Sequence, residues 1–227
     1  MRLTGTTMRR VPVAGPADGD LADVAATSAA DAWAVGYSAH GPLILQWNGT
    51  AWKRAPLPAA LGGGEFVGVA ATSRTNAWAI LNPQNGGLGR GIQARIVHWN
   101  GRRWGVVISP AIGMSYWLDD VAATSAKDVW VVGSAGSTRA VILHWNGLRW
   151  TCALSPKVHR GYSFRALFAV SASSAGNALA VGSSGTGTLA LHWNGHGWKR
   201  FKTPRRGGFN ALEDVTFIFK WNGTAWQ

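Results

Sequence analysis

Three sets of side chains in this sequence carry the chemistry for a site. The residue before a recurring tryptophan is Gln46, His98, His144, His192 or Lys220. Three imidazoles at matching places suggest a metal, but zinc ligands must converge within about 2 Å of one ion. The second set is acidic: Asp23, Asp119, Asp120, Glu213 and Asp214. Paired carboxylates hydrolyse glycosidic bonds when held about 5–9 Å apart across a pocket. The third set is Tyr116 and Trp117 with Asp119, an indole next to a carboxylate, which could serve as a sugar-stacking platform.

What these residues can do depends on the elements that carry them. The chain repeats the phrase Trp-Asn-Gly-x-x-Trp five times, from Trp47, Trp99, Trp145, Trp193 and Trp221. An Asn-Gly pair supplies the positive φ angles of a type I′ turn, so each copy reads as a tight β-hairpin. Whether the loop has two residues or four, both tryptophans fall on one face, which must be buried.

Around each hairpin the sequence gives two further strands. In the first unit, residues 21–58, Leu21 to Thr27 is one strand, Ser28 to Asp31 a turn and Ala32 to Gly36 a second strand. Leu43 to Trp47 and Thr50 to Ala55 complete four short antiparallel strands. Equivalent units run over 66–110, 117–156 and 164–204, with Leu179 replacing the second-strand tryptophan in the last. A partial unit covers 210–227. Phrase intervals of 52, 46, 48 and 28 residues show that this fifth unit lacks its turn and second strand. Four strands per unit of roughly 40–50 residues is the pattern of β-propeller blades. Residues 1–15 align with a fourth strand, Met8 falling at the place of Trp52, and so form an orphan outer strand. Thr6 to Val11 could close the ring by adding beside Thr224 to Gln227; alternatively, the chain is a fragment of a longer propeller.

Placement changes the reading of the candidates. Third strands lie far from a propeller axis, so the histidines cannot converge and are expected to be packed and hydrogen-bonded. First strands line the channel, which would put Asp23, Asp120 and Asp214 in a ring interrupted by Gly68 and Ala169. These carboxylates are expected to accept backbone N–H bonds from neighbouring turns. Trp117 stands where the other blades have Asp20, Glu65, Ala166 and Ala211, near one mouth.

With 227 residues, 47% of them hydrophobic, the chain can bury a sizeable core. Its 22 Lys+Arg against 10 Asp+Glu give a formal charge of +12. Many cations flank the fourth strands, as Arg9-Arg10, Lys53-Arg54, Arg102-Arg103, Arg149 and Lys199-Arg200, where charge discourages edge-to-edge pairing. A polyanion partner is a further option. The single cysteine, Cys152, excludes an intramolecular disulfide and a cysteine-cluster metal site. No apolar run reaches the length of a membrane span, and Met1 to Gly15 has no apolar signal-peptide core. The Asn48 and Asn222 sequons coincide with turns that already require Asn-Gly. No P-loop, nucleophile elbow or His-Glu-x-x-His is present.

Units of the form V-A-A-T-S-x-x-D-x-W-A-V-G … I-L-H-W-N-G-x-x-W resemble an actinobacterial-type class of secreted bacterial propeller repeats, from Leu21 to Trp226. More distantly they are similar to kelch blades of the galactose oxidase kind, without the Gly-Gly doublet or any copper ligands to carry over. The resemblance implies an extracellular or cell-surface setting and specifies no activity. The expectation is an all-β propeller with four full blades and a shortened fifth, acting as a non-catalytic binding or scaffold module without a cofactor. A glycan or protein would be its ligand. The alternatives are a lectin-like carbohydrate binder and a propeller lyase or glycosidase.

Overall fold

The computed structural model describes residues 2–4, 7–9, 19–83, 93–107, 115–136, 139–154, 165–184, 187–203 and 211–215. An N-terminal hairpin, β1 (Arg2–Thr4) and β2 (Thr7–Arg9), precedes four sheets of four strands. Blade 1 is β3 (Asp20–Ser28), β4 (Asp31–Ser38), β5 (Gly41–Trp47) and β6 (Trp52–Arg54). Blade 2 is β7 (Glu65–Ser73), β8 (Asn76–Asn82), β9 (Arg95–Trp99) and β10 (Trp104–Val107). Blade 3 is β11 (Tyr116–Ser125), β12 (Asp128–Ala135), β13 (Arg139–Trp145) and β14 (Trp150–Leu154). Blade 4 is β15 (Arg165–Ser174), β16 (Asn177–Ser184), β17 (Gly187–Trp193) and β18 (Trp198–Arg200). Every sheet is an antiparallel meander in chain order.

The repeated phrase forms each outer hairpin, but its turn is not type I′. Only the glycines have positive φ, near +90° at Gly49, Gly101, Gly147 and Gly195, and no described non-glycine residue does. In the four described copies the two tryptophans of the phrase pair directly, leaving a four-residue loop between them. The asparagine works through its side chain: Asn146 Oδ1 accepts the N–H groups of Leu148 and Arg149, both at 3.0 Å. Asn48, Asn100 and Asn194 do the same. The first tryptophan then ties this loop to the turn between the first two strands: Trp47, Trp99, Trp145 and Trp193 donate Nε1–H to the carbonyls of Ala29, Arg74, Ala126 and Ala175 at 3.0–3.1 Å.

The core lies in the seams between blades. Trp33 of blade 1 packs against both phrase tryptophans of blade 2, 5.2 Å from Trp99 and 5.2 Å from Trp104, edge-on to the latter. Trp78 meets Trp145 and Trp150 in the same way, and Trp130 meets Trp193 and Trp198. A buried tryptophan hides about 150–250 Å², worth roughly 4–6 kcal/mol by area. The Nε1–H groups of Trp33, Trp78 and Trp130 meet no acceptor, so packing alone holds these rings.

Each first strand slips register twice against its neighbour, in blade 3 between Leu118 and Asp120 and between Ala123 and Ser125. The other three blades slip at the matching places. Second-strand glycines allow the close approach. A Cβ on Gly36, Gly133 or Gly182 would stand 2.0–2.1 Å from the carbonyl oxygen of Asp20, Trp117 or Ala166. Blade 2 has Leu81 at that place and bulges all the same.

The N-terminal strand does not stand alone. Thr7–Arg9 pairs with Arg2–Thr4, with Leu3 opposite Met8 as Trp47 is opposite Trp52. Residues 224–227, beside which the sequence places it, lie outside the described residues, as does the rest of the fifth unit after Val215. Leu212 and Val215 pack against blade 4 with Ala169, Val181 and Ala190, and Leu212 N–H donates to Gly182 O at 3.3 Å.

Candidate functional site

The histidines are taken up by a relay repeated in three blades. The second bulge of each first strand frees one residue from the ladder, and its side chain bonds to the residue that opens the second strand. In blade 3, Thr124 Oγ1 donates to Asp128 Oδ2, and His144 Nε2 donates to Asp128 Oδ1 at 2.7 Å. The His144 ring lies flat on Trp130, centroids 3.7 Å apart. In blade 2 asparagine replaces the acid and the first bond reverses. Asn76 Nδ2 donates to Thr72 Oγ1 at 2.6 Å, and His98 Nε2 donates to Asn76 Oδ1 at 2.8 Å. Blade 4 repeats this with Ser173, Asn177 and His192. Burial holds the imidazoles of His98 and His192 below their usual pKa. In blade 1, Gln46 stands in place of the histidine. Thr27 still bonds Asp31 at 2.5 Å, but Asp31 Oδ1 is buried without a partner.

The inner carboxylates hold adjacent blades together. Asp23 accepts Val24 N–H at 2.7 Å and, across the seam, Val69 N–H of blade 2 at 2.8 Å. Asp120 accepts Val121 N–H and Val170 N–H of blade 4, both at 2.7 Å. The donors are first-strand amides, one in the same blade and one in the next, whereas the sequence pointed to turns. Desolvation raises Asp23 despite these bonds, and Asp120 is pushed up to about 7 by burial, with the charges of Asp23 and Asp214 adding to it. No group of three His, Cys, Asp or Glu side chains that could hold a metal ion forms among the described residues.

At the start of β11 the expected platform separates. Tyr116 is only 1% exposed and belongs to the core between blades 2 and 3, so its ring is not available to a surface ligand. That corrects its inclusion. Trp117 is half-buried, opposite Ser134. Asp119 is the extra residue of the first bulge, half-buried, and burial raises its carboxyl to about 6. Of the three expected residues, Trp117 and Asp119 remain partly exposed near the start of β11. A surface cavity of about 280 Å³ lies elsewhere, beside Arg54, Ala55, Pro56 and Leu57 on the outer strand of blade 1.

Two positioning residues escaped the sequence reading. Asn82 ends β8, buried, and binds the Leu118 backbone at both ends: Nδ2 donates to Leu118 O at 2.7 Å, and Leu118 N–H donates to Oδ1 at 3.1 Å. It fixes the entry of β11. Arg95 donates to Ala60 O at 2.6 Å and to Leu61 O, holding the segment between blades 1 and 2. In the sequence Asn82 looks like the first residue of a glycine-rich loop; its place after an apolar strand was the available signal.

No protein-family model matches the sequence, and no curated protein does. Solved structures do. YCF48 bound to D1 peptide superposes with a TM-score of 0.53 at 15% identity, over 82% of this chain and 54% of that one. The fucose-specific lectin from Aleuria aurantia gives 0.51 at 12% identity, over 82% and 62%. The GH74 xyloglucanase from Xanthomonas campestris gives 0.51 at 15%, over 78% and 28%. The fold is a β-propeller. At these identities the likeness is one of fold alone, and the chain spans less than two thirds of the length of each of these three solved chains.

Proposed function

We propose that this propeller is a non-catalytic binding module whose ligand, a glycan or a peptide, docks at the mouth that carries Trp117 and Asp119. One observation carries the reading: the groups suited to chemistry are already engaged in the architecture. His98, His144 and His192 are locked in their relays, and both oxygens of Asp120 accept backbone amides. Trp117 and Asp119 are left half-exposed, without such bonds among the described residues. The fold is compatible with either ligand class, since propellers of this shape include a fucose-specific lectin and a protein solved with a bound peptide. The resemblance of the blade motif supports an extracellular or cell-surface setting for the module.

A hydrolase or lyase is the second reading, favoured by the Asp119 carboxyl, which holds its proton near pH 6 as a general acid does. It requires a second free carboxylate across a pocket, and Asp120 is occupied. Glycan and peptide arrays, followed by Trp117→Ala on every hit, test the binding reading. The expected result is at least one hit whose binding falls roughly tenfold or more, the loss of a buried aromatic anchor. Hits that Trp117→Ala leaves unchanged would remove the mouth from consideration. Turnover of a bound glycan, abolished by Asp119→Asn, would decide for the enzyme.

A further inference from the structure

A different surface carries the charge of the molecule. In an antiparallel meander the first-to-second and third-to-fourth turns lie at the same end of the blade, opposite the Trp117 mouth. The indole bonds from Trp99 to Arg74 O and from Trp145 to Ala126 O pin the two turns together, both at 3.1 Å. On blades 2 and 3 these turns present Arg74, Arg102, Arg103, Lys127 and Arg149, all exposed. None has a side-chain hydrogen bond or ion pair among the described residues; the single ion pair found there is His144–Asp128. Acids do not offset them. Of the ten acidic residues, Asp18 lies outside the described residues, and Asp20, Asp23, Glu65, Asp119, Asp120, Glu213 and Asp214 lie on first strands or in the 211–215 stretch. Only Asp31 and Asp128 sit at the turn end, both buried.

We propose that this end of blades 2 and 3 binds an acidic polysaccharide, a chain bearing sulfate or carboxylate groups. Edge protection does not account for the five cations, because they sit on turns and not along a strand's open side. Four of the five are arginines, whose planar fork bonds oxyanions in pairs. They stand on short loops whose backbone is fixed by asparagine and indole bonds, so only the side chains need order on binding. Nucleic acid fits less well. Single strands need exposed aromatic faces for base stacking, whereas Trp104 and Trp150 are buried and Trp99 and Trp145 are engaged in the seams. Duplex grooves are read by a helix or a β-ribbon, and these ends are compact turns. The proposal does not depend on the ligand at the other mouth.

The test compares the wild type with Arg102→Ala/Arg149→Ala and with Arg139→Ala/Lys202→Ala, a pair of equal charge change away from the turn end. Each protein is titrated with a size-defined sulfated heparin oligosaccharide from 50 to 300 mM salt. Parallel titrations use single-stranded DNA of matched charge and phosphatidylserine vesicles, with melting curves checking the fold. The turn-end variant should bind the sulfated chain roughly tenfold more weakly, with a log–log salt slope lower by about two. The control pair should bind like the wild type. Equal loss in both variants would reduce the effect to bulk charge and overturn the site. So would failure of the wild type to bind at low salt. DNA or vesicles bound more tightly than the sulfated chain would overturn the polysaccharide assignment.

Discussion

Trp130→Ala should cost this propeller a large part of its stability, because one ring closes the seam between blades 3 and 4. Trp130 is fully buried, stacked on His144 at 3.7 Å and wedged 5.3 Å from both Trp193 and Trp198. Truncating a buried tryptophan to alanine costs about 3–5 kcal/mol. Each aromatic pair lost adds roughly 0.5–1.5 kcal/mol beyond area, whereas removing the unpartnered Nε1–H returns about 1 kcal/mol. The net expectation is about 6 kcal/mol. That is a third or more of the roughly 5–15 kcal/mol that a domain has in hand. Trp130→Leu, which copies Leu179 of blade 4, should cost about half as much. Urea unfolding followed by far-ultraviolet circular dichroism reads the loss as a lower midpoint. A reduced denaturant slope as well would mean that the seam opens before the rest of the array. A loss below about 1 kcal/mol for the alanine variant would refute the view that packing across the seams holds the blades together.

Two further outcomes follow from unequal blades. Gln46→His should supply the missing donor to Asp31 Oδ1 and place a ring over Trp33, raising stability by about 1 kcal/mol, read as a higher melting temperature. Asp120→Asn should change the pH profile. The native carboxyl keeps its proton to about pH 7 whereas the unfolded one loses it near 3.8. The native state therefore binds more protons across that window, and this group's contribution falls as pH rises. Between pH 5 and pH 8 the variant should gain on the wild type by on the order of 2 kcal/mol in paired urea melts. His98 and His192 act with the opposite sign, their stability lost as pH falls through the unfolded histidine range, and cancel in the difference. A difference that shrank with rising pH would contradict the burial assigned to Asp120.

The architecture was legible because five copies of one phrase cannot all be coincidence, and the two tryptophans of each phrase required a shared, buried face. The turn type was not. An asparagine before glycine looks the same whether its backbone adopts positive φ or its side chain caps the loop. The two predict different φ at Asn48 and Asn146, and the structure has the second. The first-strand bulges were equally hidden, because blade 2 bulges without the second-strand glycine that the other three blades carry. Gly36, Gly133 and Gly182 are needed for clearance against a carbonyl, not for their φ. For the candidate site the histidines were rightly placed on packed strands. Their partners escaped notice, because the Asp or Asn lies at the far end of a turn from the residue it binds. Tyr116 and Trp117 defeated sequence reading for a simpler reason. Adjacent strand residues face opposite ways, and two aromatics side by side give no sign of which points inward.

One comparison shows why burial itself could not be read from a blade's own residues. The first strands contain Leu21 and Val24, Phe66 and Val69, Leu118 and Val121, and Leu167 and Val170 at equivalent places. In blades 2 to 4 all of these are buried, with exposures of 0–5%, yet Leu21 is 48% and Val24 62% exposed. The side chains are alike, so the difference comes from the neighbour. In blades 2 to 4 a preceding blade lies against the first strand and sends its second-strand ring into the next hairpin, as Trp33, Trp78 and Trp130 do. Among the described residues no tryptophan enters between Trp47 and Trp52, whose rings meet no aromatic ring but each other, at 5.6 Å. The array therefore has a direction, and each blade completes the one after it. A blade's apolar pattern states which face must be covered; only the blade before it states whether the face is covered.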